Sequence, residues 1–304
     1  MTAQSTPSRN TLPGCASLDP WLRLCRLHQY LKNGFIFLPA FFAFQLLDEM
    51  VLLQAAVVFI SFSLCASSIY ILNDILDRAE DREHPTKKHR PIASGEIPVE
   101  RALLVMGGLF ACGISVLGLI DWTSLGFVLS YVGLNILYSL GLKHVTLLDI
   151  VWIAVGFVLR VLAGAAAVGV VPSMWIILMT FLLAIFLGSA KRRDDVLLQL
   201  AGKQTRKNID GYNLEFLNAT MVLMASVTVM AYVFYTISPE IREQFGSDQI
   251  YLTTVFVLLG ILRYMQITFV EQASGSPTQV LMHDRFLQGC IACWLLTFVW
   301  LMYI

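Results

Sequence analysis

The chain is short of charge. Only 14% of its 304 residues are Asp, Glu, Lys or Arg, against roughly 25% in a soluble globular domain. Hydrophobic residues make up 57% and the mean hydropathy is +0.70, which excludes a water-soluble fold. Net charge is absent too: 21 basic residues balance 21 acidic ones, so no overall basic field recruits nucleic acid. Any electrostatic function must rest on local segregation of charge. The six cysteines, at 15, 25, 65, 112, 290 and 293, lie mostly in or beside apolar runs, which suits small buried hydrophobes and not a disulfide framework. Cys290 and Cys293 form a CxxC with no second pair or histidine cluster beside it, so helix packing is favoured over a metal or redox role. The first twenty residues lack the charged, apolar and small-residue succession of a signal peptide. They read as a flexible cytosolic tail, and residues 21–304 as a single transmembrane domain.

What the chain has in quantity is apolar runs. A bilayer-spanning helix needs about 20 apolar residues, because backbone groups in lipid must be satisfied within the segment. Nine runs come close, at 33–47, 51–74, 102–120, 123–141, 147–169, 173–190, 216–238, 249–270 and 285–304. The expected fold is an all-α polytopic membrane protein, with about nine transmembrane helices around a central cavity that opens to the cytoplasmic side. The first run is the weakest, being short and holding Pro39. Alternating the spans puts nineteen of the 21 Lys and Arg residues on one side, leaving Arg242 on the other and Arg160 within the fifth span. By the positive-inside rule the N-terminus and the long loops are cytoplasmic.

On that side the second span runs into Asn73-Asp74-Ile75-Leu76-Asp77-Arg78-Ala79-Glu80-Asp81. At helical spacing Asn73, Asp77 and Asp81 share a stripe with Asp74 beside them. Three carboxylates and an amide at a membrane surface suit Mg²⁺, which takes one or two protein carboxylates and completes its shell with water and substrate phosphate. A solvated, charged helix end is the plainer alternative. The next loop supplies Arg82, Lys87, Lys88 and Arg90, with His84 as a further donor, between Pro85 and Pro91. A second basic cluster, Lys191-Arg192-Arg193, follows the small residues Gly188-Ser189-Ala190. Such side chains bind phosphate oxygens. Arg193, Lys203, Arg206 and Lys207 read better as anchors at the membrane surface.

Leu22 to Asn33 reads as an amphipathic interfacial helix that could deliver Lys32 and Asn33 to the same site. Arg160 lies in the fifth span, eleven residues after Asp149 and about 16 Å further along the axis. The two could line one cavity but not pair with each other. An intramembrane arginine faces a polar cavity or bonds to a neighbouring helix.

These residues resemble the intramembrane prenyltransferase superfamily typified by 4-hydroxybenzoate polyprenyltransferase. The resemblance rests on Asn-Asp-x-x-Asp-x-x-x-Asp at 73–81 and on the length and number of spans. That superfamily carries a second Asp-x-x-x-Asp motif after span six. Here the loop reads Arg193-Asp194-Asp195-Val196-Leu197-Leu198-Gln199, with glutamine in place of the last aspartate. The departure is similar to one branch, the decaprenyl-phosphate phosphoribosyltransferases. Further matching stretches are 28–33, the His-Pro-x-Lys-x-x-Arg-Pro run within 81–95, and residues 138–143, 156–160 and 276–281.

The resemblance implies a Mg²⁺-dependent pentosyltransferase that moves 5-phosphoribose from 5-phosphoribosyl 1-diphosphate to a polyprenyl phosphate. Asp74, Asp77 and Asp81 are then the catalytic acids and, with Asn73, the Mg²⁺ ligands. Lys87, Arg90, Lys191 and Arg192 would hold phosphate groups, with Lys32, Asn73, Lys143 and Arg160 also in the substrate site. A bacterial plasma membrane is the implied location, and a homo-oligomer is compatible with it. The alternatives are an aromatic polyprenyltransferase using a prenyl diphosphate and, from another class, a transporter. Against the transporter, the ionisable residues crowd one interface and do not continue through the membrane.

Overall fold

The computed structural model describes residues 19–84, 87–202, 211–274 and 276–303. Most of the expected N-terminal tail, together with Pro85, Lys203, Arg206 and Lys207, lies outside the described residues. Among those described there are helices and no strand. The long helices are α1 (Glu49–Leu76), α2 (Val99–Ile120), α3 (Trp122–Leu140), α4 (Leu148–Ala167), α5 (Met174–Leu200), α6 (Leu214–Ile237), α7 (Thr254–Phe269) and α9 (Arg285–Tyr303), with the short α8 (Pro277–His283) before the last. Side chains start several of them. Asp48 accepts from the Met50 and Val51 amides ahead of α1, and Asp121 from those of Thr123 and Ser124 ahead of α3. Ser173 accepts from Ile176 ahead of α5, and Asn213 from Phe216 ahead of α6. Each satisfies a backbone donor that the first turn leaves over.

Seven helices, α7 being counted with the 3₁₀ turn Asp248–Thr253 before it, are long and apolar enough to cross a membrane. The chain is a multi-pass membrane protein. α8 and α9 together make an eighth candidate, bent by 82° where they meet. The ninth expected span, 33–47, is a different structure. Leu27–Phe37 forms a 3₁₀ helix and Leu38–Phe42 a short α-helix with Pro39 in its first turn. A 3₁₀ helix rises about 2.0 Å per residue against 1.5 Å for an α-helix. This arm therefore extends about 30 Å in sixteen residues, further than an α-helix of that length.

The packing order places the site. α1 packs on α2, α3 on α4, α4 on α5, α5 on α6, α6 on α7 and α7 on α9. The 27–42 arm lies against α1 and α4 and touches α8, so the chain's beginning and end meet. Two glycines permit close approach of one backbone to another. A Cβ at Gly113 on α2 would stand 2.8 Å from Ser61 O, and one at Gly164 on α4 would stand 2.0 Å from Ile36 O of the arm. Small residues at such contacts let backbones approach in lipid, where no hydrophobic force pulls helices together. Phe62, Tyr131, Leu117, Val128 and Ile36 fill the core between these elements.

Candidate active site

The acidic stripe begins inside α1 and leaves it. α1 ends at Leu76, Asp77 sits at the break, and Arg78–Glu83 resumes as a separate helical turn. The break rearranges the expected stripe. Asp74 and Asp81 are buried and share one partner, since Arg90 Nη1 donates to Asp74 Oδ1 at 3.0 Å and to Asp81 Oδ2 at 2.6 Å. Asp77 lies elsewhere, paired with Lys143 Nζ at 2.6 Å. Ser139 Oγ donates to Asn73 Oδ1 and to Asn135 O, which ties the amide to α3. Among the described residues no three acidic, histidine or cysteine side chains form a ready metal group. The carboxylates are arranged as a pair and a single one.

Four cations from three parts of the chain converge on these acids. Lys87 Nζ stands 4.0 Å from Asp81, Arg90 bridges the pair, and Lys143 comes from the turn after α3. The fourth is Arg26, whose guanidinium pairs with Asp74. The sequence reading of Leu22 to Asn33 assigned Lys32 and Asn33 to the site and left out Arg26. Its partner is 48 residues away, and no periodicity links the two. Arg26 stands between the short helix Pro20–Cys25 and the 3₁₀ arm in a left-handed conformation, φ 53°, a backbone cost that non-glycine residues bear rarely. Its neighbour Arg23 pairs with Glu96, so the segment is pinned from both sides.

Lys32 is half-buried on the arm. Burial, and then the charges of Arg160 and Arg26, push its ammonium down to about 8. His84 accepts from the Lys87 amide at 3.3 Å. Burial, and next the Lys87 charge, hold it below the usual imidazole range, and an imidazole that accepts at Nδ1 keeps Nε2–H as a donor.

Arg160 is buried among its own partners. Nε donates to Asn33 Oδ1 at 2.8 Å, Nη1 to Gly156 O at 2.7 Å and Nη2 to Tyr131 Oη at 3.1 Å. Its carbon centre lies over the Tyr131, Phe62 and Phe157 rings. Asn33 in turn donates to Ser63 Oγ at 2.8 Å, so Arg160 links α4, the arm and α1. Arg192 has likewise turned inward. It is 1% exposed and pairs with Asp149 at 2.5 Å and Asp195 at 2.8 Å, while Tyr212 Oη donates to Asp149 at 2.5 Å. Its guanidinium is engaged by two carboxylates and links α4 to α5. Lys191 is half-buried beside it.

The surface-anchor expectation for Arg193 is corrected. The side chain is 6% exposed, with Nε donating to Asn218 Oδ1 and Nη1 to Thr268 O, each at 2.8 Å. Arg192 and Arg193 are adjacent on a helix and so point about 100° apart, a division that residue type alone does not reveal.

The donor set around Asp74 and Asp81 fits Mg²⁺. Two carboxylates already meet at one positive nitrogen, and Mg²⁺ asks for one or two protein carboxylates together with water and phosphate oxygens.

The model of the UbiA prenyltransferase family matches residues 35–287. A decaprenyl-phosphate phosphoribosyltransferase of Corynebacterium glutamicum is 30% identical over 292 residues, covering 94% of this chain and 87% of that protein. Its counterpart in Mycolicibacterium smegmatis is 30% identical over 80% of this chain and 78% of its own length. Among solved structures, a UbiA homolog from Archaeoglobus fulgidus bound to GPP and Mg²⁺ superposes with a TM-score of 0.69 at 19% identity, covering 94% of this chain and all of that one.

Proposed function

The chain belongs to the UbiA prenyltransferase family, and on that footing we propose that it transfers 5-phosphoribose from 5-phosphoribosyl 1-diphosphate to a polyprenyl phosphate, releasing diphosphate. The observation that carries this reading is the surplus of cations at the site. Arg26, Lys87, Arg90 and Lys143 surround Asp74, Asp77 and Asp81, and Lys32 lies near enough to Arg26 to feel its charge. A prenyl diphosphate brings one anionic group, whereas a sugar diphosphate with a 5-phosphate, meeting a lipid phosphate, brings three. The names borne by the relatives at 30% identity point the same way.

In this reading Asp74 and Asp81, with Asp77 and Asn73 nearby, hold Mg²⁺, which supplies charge neutralisation to the leaving diphosphate. Arg90 and Arg26 exchange their carboxylate partners for phosphate oxygens when the donor arrives. Lys87, Lys143 and Lys32 hold the remaining phosphates, and Lys191 lies close enough in sequence to Arg192 to join them. A lipid phosphate oxygen bonds to C1 as the C1–O bond to diphosphate breaks, and diphosphate departs with the electron pair. The attacking oxygen is already anionic, so no general base is required. Arg160 and Arg192 act by holding the arm and α5 in place. Because the donor is water-soluble, the site faces the cytoplasm of a bacterial plasma membrane, in keeping with the positive-inside rule.

Purified protein given labelled phosphoribosyl diphosphate and polyprenyl phosphate should yield a labelled lipid only when Mg²⁺ is present. No labelled lipid, together with prenylation of an aromatic acceptor, would overturn the assignment. Asp77→Asn should abolish Mg²⁺-dependent turnover while the protein still elutes as a folded species in detergent, because Asp77 is partly exposed and Lys143 can be hydrated. Normal turnover in that variant would remove Asp77 from the site.

A further inference from the structure

On the far side of α5 from the acidic pair, α6 and α7 leave an open groove of about 730 Å³, lined by Arg193, Asn218, Ala219, Val222, Leu223, Ser226 and Phe269. Its two ends differ in chemistry. One is polar, where Arg193 Nε donates to Asn218 and Nη1 to Thr268 O, with the guanidinium over the Phe269 ring. The rest is apolar and runs along α6 from Asn218 to Ser226, eight residues or about 12 Å at helical rise. That is close to the hydrocarbon depth of one leaflet, about 15 Å. The polar end lies at the same end of the helices as Asp149 and Lys143, since the adjacent Arg192 pairs with Asp149 at the start of α4.

The head of this groove has donors left over. Arg193 is 94% buried by its residual exposure of 6%, and its Nη2 has no hydrogen-bond partner among the described residues. The Asn218 amide accepts from Arg193 through its oxygen, and its Nδ2 group has no partner among them either. A guanidinium edge and an amide that both line the groove leave hydrogen-bond donors free to meet the acceptor of a ligand. The complementary acceptor is an anionic phosphate with an apolar chain attached. Arg193 carries a fixed positive charge at the level where phospholipid headgroups lie.

We propose that this groove binds one phospholipid with an anionic headgroup. Its phosphate is held by Arg193 Nη2 and Asn218 Nδ2, and an acyl chain lies along Val222, Leu223 and Ser226. The site is separate from the acidic pair, and the proposal does not depend on which reaction the enzyme catalyses. A neutral zwitterionic lipid fills the same space but brings its own cation near Arg193, so the groove discriminates by charge.

The test uses the full chain in detergent, stripped of lipid and titrated in turn with phosphatidylglycerol, phosphatidylcholine and polyprenyl phosphate, while bound lipids are counted by native mass spectrometry. Phosphatidylglycerol should occupy one site per chain with a roughly fivefold or greater preference over phosphatidylcholine, the order expected for one interfacial cation. Asn218→Asp removes the amide donors while keeping an oxygen for Arg193 Nε, Leu223→Trp blocks the groove with bulk, and neither touches the Thr268 contact. Both should abolish the preference and leave the melting temperature of the lipid-free protein within a few degrees of the parent. Equal binding of the two phospholipids, or a preference that survives both variants, overturns the proposal. So does polyprenyl phosphate as the ligand whose binding the two variants remove, or a dimer that forms as lipid leaves.

Discussion

At the scale of single residues, the buried guanidiniums divide the labour of the charged cluster. Arg192 and Asp149 are 1% and 0% exposed. Removing one partner of such a pair leaves an uncompensated charge, at a cost of about 3–5 kcal/mol. Arg192→Met should therefore lower the melting temperature strongly, and the double variant Arg192→Met with Asp149→Leu should recover most of the loss. A double variant no better than the single one would mean that the brace is not the ion pair. Lys32 makes a pH prediction with two opposite signs. Below pH about 8 its ammonium is charged in folded and unfolded chains alike, and the folded state carries a constant penalty. Between there and the ordinary lysine value the unfolded chain holds more protons, so stability rises with pH across that window. Phosphate binding needs the charged form, so kcat/KM for the sugar diphosphate should fall as pH rises through about 8. Lys32→Arg should remove that limb, because a guanidinium keeps its charge. A limb unchanged in Lys32→Arg assigns the titration to another group.

At the scale of elements, the arm over 27–42 holds the site together, and its place was the least legible part of the chain. The apolar content of 33–47 was plain. Its geometry was not, because the close seat of Ile36 on Gly164 goes with a stretched 3₁₀ path that hydropathy does not encode. The acidic stripe shows the same division. The four-residue spacing of Asn73, Asp77 and Asp81 placed them on one turn at a helix end. The break at Asp77, which sends one carboxylate to Lys143 and leaves two around Arg90, depends on loops that fold back from 87–90 and 142–144. Gly164→Ala tests the arm. A Cβ there meets Ile36 O at 2.0 Å, and overpacking of this kind costs about 1–3 kcal/mol or more. The arm should shift, and KM for the donor should rise as Arg26 and Lys32 leave their positions. Gly126→Ala, with nothing within 4 Å of its Cβ, should leave both stability and KM unchanged. Equal behaviour of the two variants would remove the arm from substrate binding.

For the molecule as a whole, the helices alternate so that the C-terminal ends of α1, α3 and α5 lie at one face, together with the acidic pair and its cations. Lys88, which is exposed, and Val171, 92% exposed, lie at opposite ends. In a background without the reactive native cysteines, Lys88→Cys should react with an impermeant maleimide only from the cytosolic side, and Val171→Cys only from the outside. The reverse pattern would put the site on the wrong face for a cytosolic sugar diphosphate.

Composition and spacing alone determined the class of this protein. With 14% charged residues and runs near membrane length, bundled helices satisfy the backbone in lipid, and the clustering of charge marked the end of the bundle where the candidate site lies. Those properties are local or additive along the chain, so they are visible without a fold. Tertiary structure decided which charges face each other. Arg26 meets Asp74 across 48 residues, Arg192 turns into a brace, and Arg193 heads a lipid-facing groove. Pairings at long separation depend on helix rotation and close glycine contacts, which residue type and order leave open.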